Sequence, residues 1–325
     1  MARTPSTDET RGSWPARAGW VVAGGVVAVS FSGVLVRLSE APPETLAFYR
    51  LTLALAVLFP LSLTRGRKEA YRRLSARDWG LALLAGGFLA LHYVTWFASL
   101  RFTSILSSTV LVTLQPFFVL LLGWLLWRRR IPARAGAGLI LALAGSFLIG
   151  GGQLDWDQSS TRGDLLAVLA AALVSVYLVV GEVQRPRQDL LTYVSLVYGS
   201  AAVVLGLLAW ARGTPLVGFP AREWWLFAGL AAGPTLLGHT LFNWALAHVP
   251  ASRISVAILG EPVGATVWAW LFLGEVPAAV QLAGACLILG GVGWYQWGEL
   301  SGSPVRAVVV PTEPGGPSRG VPGRG

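Results

Sequence analysis

A chain of 325 residues with 54% hydrophobic and only 13% charged residues, at a mean hydropathy of +0.61, is too apolar for two soluble domains and reads as a polytopic membrane protein. The net charge of +9 does not point to nucleic acid, because the basic residues fall in short segments between apolar runs, where they serve orientation in a bilayer. A single cysteine, Cys286, excludes an internal disulfide and a cysteine metal cluster.

In chain order, residues 1–19 mix Arg3, Arg11 and Arg17 with Asp8 and Glu9 and read as a cytoplasmic tail. The apolar run 20–38 is too long for a signal-peptide core, and Ser39-Glu40-Ala41-Pro42-Pro43 follows it where a small-residue cleavage site would stand. It is therefore a retained first helix. Further spans are predicted at 45–63, 79–100, 105–127 and 134–150, closing a first unit at 20–152. After an external linker at 153–163 come 164–183, 191–211, 224–247, 251–273 and 278–297, a second unit at 164–298. Each has about 17 to 24 residues, as a hydrocarbon core of roughly 30 Å requires. The fold class is all-α, with ten transmembrane helices. The Gly- and Pro-rich segment 299–325 reads as a disordered cytoplasmic tail.

With the N-terminus inside, 19 of the 25 Lys and Arg residues fall on the cytoplasmic side, six of them between the second and third spans. Both termini are then cytoplasmic, and the expected location is the cytoplasmic (inner) membrane.

A shift of 146 residues lays 97–147 on 243–293 without a gap. Pro116 falls on Pro262, Gln115 on Glu261, Trp124 on Trp270, Gly138 on Gly284 and Gly145 on Gly291. Five spans per unit make the second unit enter the membrane from the opposite side. The two are thus inverted repeats, as in many secondary transporters, with a substrate site expected near the midplane between them.

The ninth span carries Glu261 and Pro262 near its middle. A carboxylate at bilayer depth costs about 3 kcal/mol on insertion scales and is tolerated facing a protein interior, a partner or a watery cavity. Pro262 removes a backbone donor from the Ile258 carbonyl, so a kink is expected beside the carboxylate.

These features resemble ten-helix members of the drug/metabolite transporter superfamily with two EamA-type repeats. The resemblance covers about residues 20–297 and rests on Phe48-Tyr49-Arg50, Ser104-Ile105-Leu106-Ser107-Ser108 leading to Gln115-Pro116, Val249-Pro250-Ala251-Ser252-Arg253 leading to Glu261-Pro262, and Leu273-Gly274-Glu275. It implies the ten-helix fold and transport of a small metabolite, typically an amino acid or related compound leaving the cell. The chain departs from the family at Arg129, which stands where the first repeat often carries a glutamate like Glu275.

Candidate substrate-binding residues follow from polarity at depth. His92, Trp96 and Ser99 share one face of the third span, and His239 and Asn243 one face of the eighth. Each histidine reads either as part of a site or as a hydrogen-bonded structural residue. Arg50 either snorkels to the interface or faces the cavity as counter-charge to a carboxylate. Gln115 and Glu261 lie at matching depth, and Trp268 on the face of Glu261 either stacks on a ligand or fills the bundle. Pro116 and Pro262 are candidate hinges, and Glu261 a candidate for proton coupling. No cofactor is expected: there is no H-E-x-x-H, and Gly150-Gly151-Gly152 lacks the strand-to-helix context of a phosphate loop. The competing readings are an intramembrane enzyme and a structural membrane protein without a substrate.

Overall fold

A chain crossing hydrocarbon must satisfy its own backbone polar groups, and every regular element among the described residues is helical. The computed structural model describes residues 16–64, 68–103, 105–150, 158–274 and 276–301. Residues 1–15 of the expected tail 1–19, residues 302–325 of the expected tail 299–325, Ser104, Glu275 and residues 153–157 of the linker lie outside them, while helix runs into both predicted tails, over residues 16–19 and 299–301.

The first span is two helices, α1 (Ala16–Ser30) and α2 (Ser32–Leu38), interrupted at Phe31. Helix α3 (Pro43–Ser62) opens with Pro43, whose missing N–H is harmless in a first turn. After the short α4 (Lys68–Arg72), α5 (Ala76–Ser99) starts in a reciprocal capping box between Ser75 and Asp78. The fourth span is α6 (Ile105–Val112) and α7 (Gln115–Trp127), and the fifth is α8 (Ala133–Gly150). Helix α9 (Gln158–Gln184) begins inside the predicted linker and is followed by α10 (Leu190–Arg212). The eighth span runs through α11 (Ala221–Leu230), a π-helical segment (Ala231–His239) and α12 (Thr240–Ala245). The ninth is α13 (Ala251–Ile258) and α14 (Glu261–Leu273), and the tenth is α15 (Ala279–Ser301). Eight of these segments are long and apolar enough to cross a membrane, with Ala133–Ile149 a shorter apolar helix.

The fourth and ninth spans, expected to be continuous or merely kinked, are each broken in two. Pro116 and Pro262 cannot donate to the carbonyls four residues back, at Val112 and Ile258, and those are the last residues of α6 and α13. The 146-residue shift carries both ends of α6 onto those of α13, both ends of α7 onto those of α14, and the start of α8 onto the start of α15. The repeat is therefore structural, down to the breaks.

Helices α8 and α15 pack along each other through paired glycines. A Cβ on Gly284 would stand 2.7 Å from the Gly145 carbonyl oxygen, and one on Gly138 2.7 Å from that of Gly291. On the other side α3, α5, α9 and α10 pack around buried Tyr93, Phe97, Tyr177, Tyr193 and Tyr198, and α1 crosses the π segment and α14. The broken helices lie between these two bodies. Gly284→Val forces α8 and α15 apart, and thermal unfolding in detergent should show a loss of about 1–3 kcal/mol. Gly290→Ala, whose new methyl would meet nothing within 4 Å, should leave the midpoint unchanged or raise it slightly.

Candidate functional site

Of the two sequence readings for Arg50, the structure places it inside: it is fully buried in the middle of α3. Two irregularities of neighbouring helices supply its partners. The interruption at Phe31 sets Ser32 at the start of α2, and the Arg50 Nη1 donates to its Oγ at 2.9 Å. The π segment, with Pro234 inside it, carries Thr235, whose Oγ1 donates to the Leu230 carbonyl at 3.0 Å and accepts from Arg50 Nε at 2.7 Å. The guanidinium lies over the Tyr93 ring, 4.3 Å from its centroid. Among the described residues no carboxylate forms an ion pair with it.

Arg50 lines a narrow cavity of ≈ 30 Å³ together with His92, Trp96, Gln115, His239 and Glu261, backed by an apolar wall that includes Val112, Val174, Leu178 and Ile258. Six of the eight substrate-binding residues read from the sequence thus meet at one place. Gln115 and Glu261 each open the helix that follows a break, so the two breaks deliver their polar residues into the same space. His92 lies almost parallel to Trp96, at 12° and 6.1 Å between centroids, and its Nδ1 is 2.9 Å from the Ala170 carbonyl. Since a carbonyl only accepts, Nδ1 carries the hydrogen and the imidazole Nε2 is left for another partner.

Three buried polar atoms in this lining have no hydrogen-bond partner among the described residues: Trp96 Nε1, Gln115 Nε2 and His239 Nδ1. Leaving such a group unsatisfied costs about 1–3 kcal/mol, and the three atoms converge on one cavity. Glu261, 7% exposed, adds a carboxylate to the same lining. The cavity therefore offers a fixed cation, an acid, unpaired polar groups and an apolar wall.

Asn243 and Trp268 stand outside the lining. Asn243 Nδ2 donates to Tyr177 at 2.5 Å and to the His239 carbonyl at 2.9 Å, while Arg185 Nε donates to the Asn243 carbonyl at 2.8 Å. Asn243 thus ties α9 to α12 beneath the cavity. Trp268 donates to Ser30 Oγ at 2.8 Å and meets Phe31 edge-on, so it fills the bundle against α1. Ser99 bonds Ser108 at 2.6 Å, away from the cavity. The sequence reading missed Ser32, Thr235 and the buried Arg185, which it counted as a loop charge. Pro234 within an apolar span was the available signal for the π segment.

The EamA-like transporter family matches residues 17–151 and again 161–295. Among similar proteins, the uncharacterized transporter YdfC of Bacillus subtilis is 25% identical over 271 residues, covering 82% of this chain and 86% of its own. The pseudopaline exporter CntI of Pseudomonas aeruginosa is 26% identical over 250 residues, covering 76% and 84%. A solved crystal structure superposes with a TM-score of 0.71 at 20% identity, over 87% of this chain and 97% of that one, and so shares the fold.

A lysine at position 50 keeps the charge but cannot fork onto Ser32, Thr235 and a ligand together. Arg50→Lys should weaken half-saturation of solute flux into proteoliposomes by about tenfold, the loss of one charge-assisted hydrogen bond. Trp268→Phe should leave it within about twofold, as expected for packing outside the site. An unchanged value in Arg50→Lys would assign the guanidinium to the fold alone.

Proposed function

The chain belongs to the EamA-like transporter family, and from that premise we propose that it is a secondary transporter exporting a small zwitterionic metabolite, an amino acid or a compound of that kind, across the cytoplasmic membrane. The family and the named relatives are transporters, which removes the enzyme reading. The observation that carries the substrate class is the placement of Arg50 and Glu261 in one cavity without an ion pair between them. A guanidinium suits a carboxylate and a carboxylate suits an ammonium group, while the unpaired Gln115 and Trp96 nitrogens can add hydrogen bonds to the anionic end. Outward direction is supported by the relative named as an exporter.

Transport proceeds by alternating access between the two repeats, with the breaks ahead of Gln115 and Glu261 as hinges beside Pro116 and Pro262. Glu261 holds either a proton or the ammonium group of the solute. That exclusive choice makes inward proton movement drive outward solute movement. In this arrangement the termini and the loop around Ser75 face the cytoplasm, in keeping with the basic residues between the second and third spans.

In proteoliposomes, an imposed proton gradient should drive amino-acid flux through the unsubstituted protein. Glu261→Gln should lose the response to the gradient while retaining counterflow, since shape and hydrogen bonding persist. A gradient response equal to that of the unsubstituted protein would make Glu261 structural. For orientation, Ser75→Cys on a Cys286→Ala background should resist an impermeant thiol reagent in intact cells, and ready labelling would invert the topology.

A further inference from the structure

Arg129, the residue at which the chain departs from its family's pattern, ends beside Glu182 of the second repeat. Its Nη1 lies 2.5 Å from Glu182 Oε1, and the two side chains are only 21% and 14% exposed. The other carboxylate oxygen accepts from the backbone N–H of Ala251 at 3.1 Å, the first residue of α13. That amide has no acceptor within its own helix, and the positive end of the helix dipole favours an anion there. One carboxylate therefore joins the end of α7 in the first repeat to α9 and α13 in the second.

A left-handed cap turns the chain at the end of α7, with the Arg128 N–H on the Trp124 carbonyl at 2.9 Å and the Arg129 N–H on that of Gly123 at 3.3 Å. Arg128, the residue that closes α7, has φ 55°, and Arg129 folds back over the Trp127 ring at 4.5 Å from its centroid. At the matching position of the second repeat stands Gly274, with φ 70°. Glycine takes that conformation freely, whereas a side chain there costs about 1–2 kcal/mol.

Of the ion pairs among the described residues, Arg253–Glu299 stays within the second repeat, and Arg212–Glu44, which joins the repeats at the opposite end, has its arginine side chain 56% exposed. Arg129–Glu182 is the shielded link between repeats. Its helices are also those that bound the cavity: α7 begins with Gln115, and α13 runs into the break before Glu261. Beside the pair lies a narrow space of ≈ 30 Å³ whose lining includes Trp127, Arg129, Glu182 and Pro250.

We propose that Arg129 and Glu182 form the latch that closes the cavity toward the arginine-rich face, and that the space beside them is the vestibule through which the zwitterionic solute enters when α7 and α13 part. The proposal rests on the alternating-access reading above but is tested without transport. A thiol probe at Val112→Cys, in the cavity wall, on a Cys286→Ala background reports opening through its labelling rate in inverted vesicles, where the arginine-rich face is accessible. Arg129→Gln and Glu182→Gln should each raise the rate about fivefold, the effect of losing a partly shielded ion pair. The double variant should exceed neither, because both changes break one interaction. Glutamine at 182 still accepts from Ala251, and Arg129→Lys, which keeps the pair, should label like the unsubstituted protein; together they separate loss of the latch from loss of the fold. Unchanged rates in the single variants, or a double variant whose effect is the product of the singles, would overturn the latch. The ratios are read whether or not solute flux is detected, so failure of the transport reading and failure of the latch are told apart.

Discussion

A guanidinium buried in the membrane-spanning part of a protein has to be surrounded by partners, and the centre of this molecule is arranged around that requirement. Arg50 reaches Ser32 and Thr235 only because α2 starts anew after Phe31 and because the eighth span widens into a π helix. The Tyr93 ring covers the cation where a carboxylate would otherwise be needed. No acidic residue among those described pairs with Arg50, so its remaining capacity faces the cavity. An arginine held this way is already fixed in position, so the solute binding proposed above would require little further ordering.

The two repeats contribute to that cavity through one device used twice. A proline that cannot continue the hydrogen-bond ladder ends α6 and α13 at matching residues, and the helix resumes with Gln115 in one repeat and Glu261 in the other. The amide and the acid are thus the same structural position given different chemistry. Of the two side chains only the carboxyl can take up a proton, which is the basis of the coupling proposed above. Around these breaks pack the glycine-paired α8 and α15 on one side and the tyrosine-rich α3, α5, α9 and α10 on the other.

The spans, the repeat and most of the polar side chains that line the cavity were legible in the sequence because each leaves a local mark. Apolar length marks a span, and a proline or a polar residue inside it marks a break or a candidate site; Arg50, His92, Gln115, His239 and Glu261 were all singled out this way. What escaped depends on geometry that no local pattern carries. Ser32 and Thr235 look like ordinary small polar residues until two backbone irregularities turn them toward Arg50. Trp268 shares a helix face with Glu261, yet that face meets α1 at its level rather than the cavity. Arg185 lies where loop charges are expected and is instead drawn in to the Asn243 carbonyl. Helical spacing specifies a face, and only packing decides what the face meets.

The central claim is that an opposed pair of fixed charges in one cavity, Arg50 and Glu261, recognises the two ends of a zwitterion. The most direct measurement is a structure of the protein in nanodiscs with its transported solute bound. The account predicts the solute carboxylate at hydrogen-bond distance from the Arg50 guanidinium and its ammonium group at hydrogen-bond distance from Glu261, with Gln115 or Trp96 closing on the anionic end. A solute bound outside this cavity, or bound within it with its carboxylate away from Arg50, would contradict it.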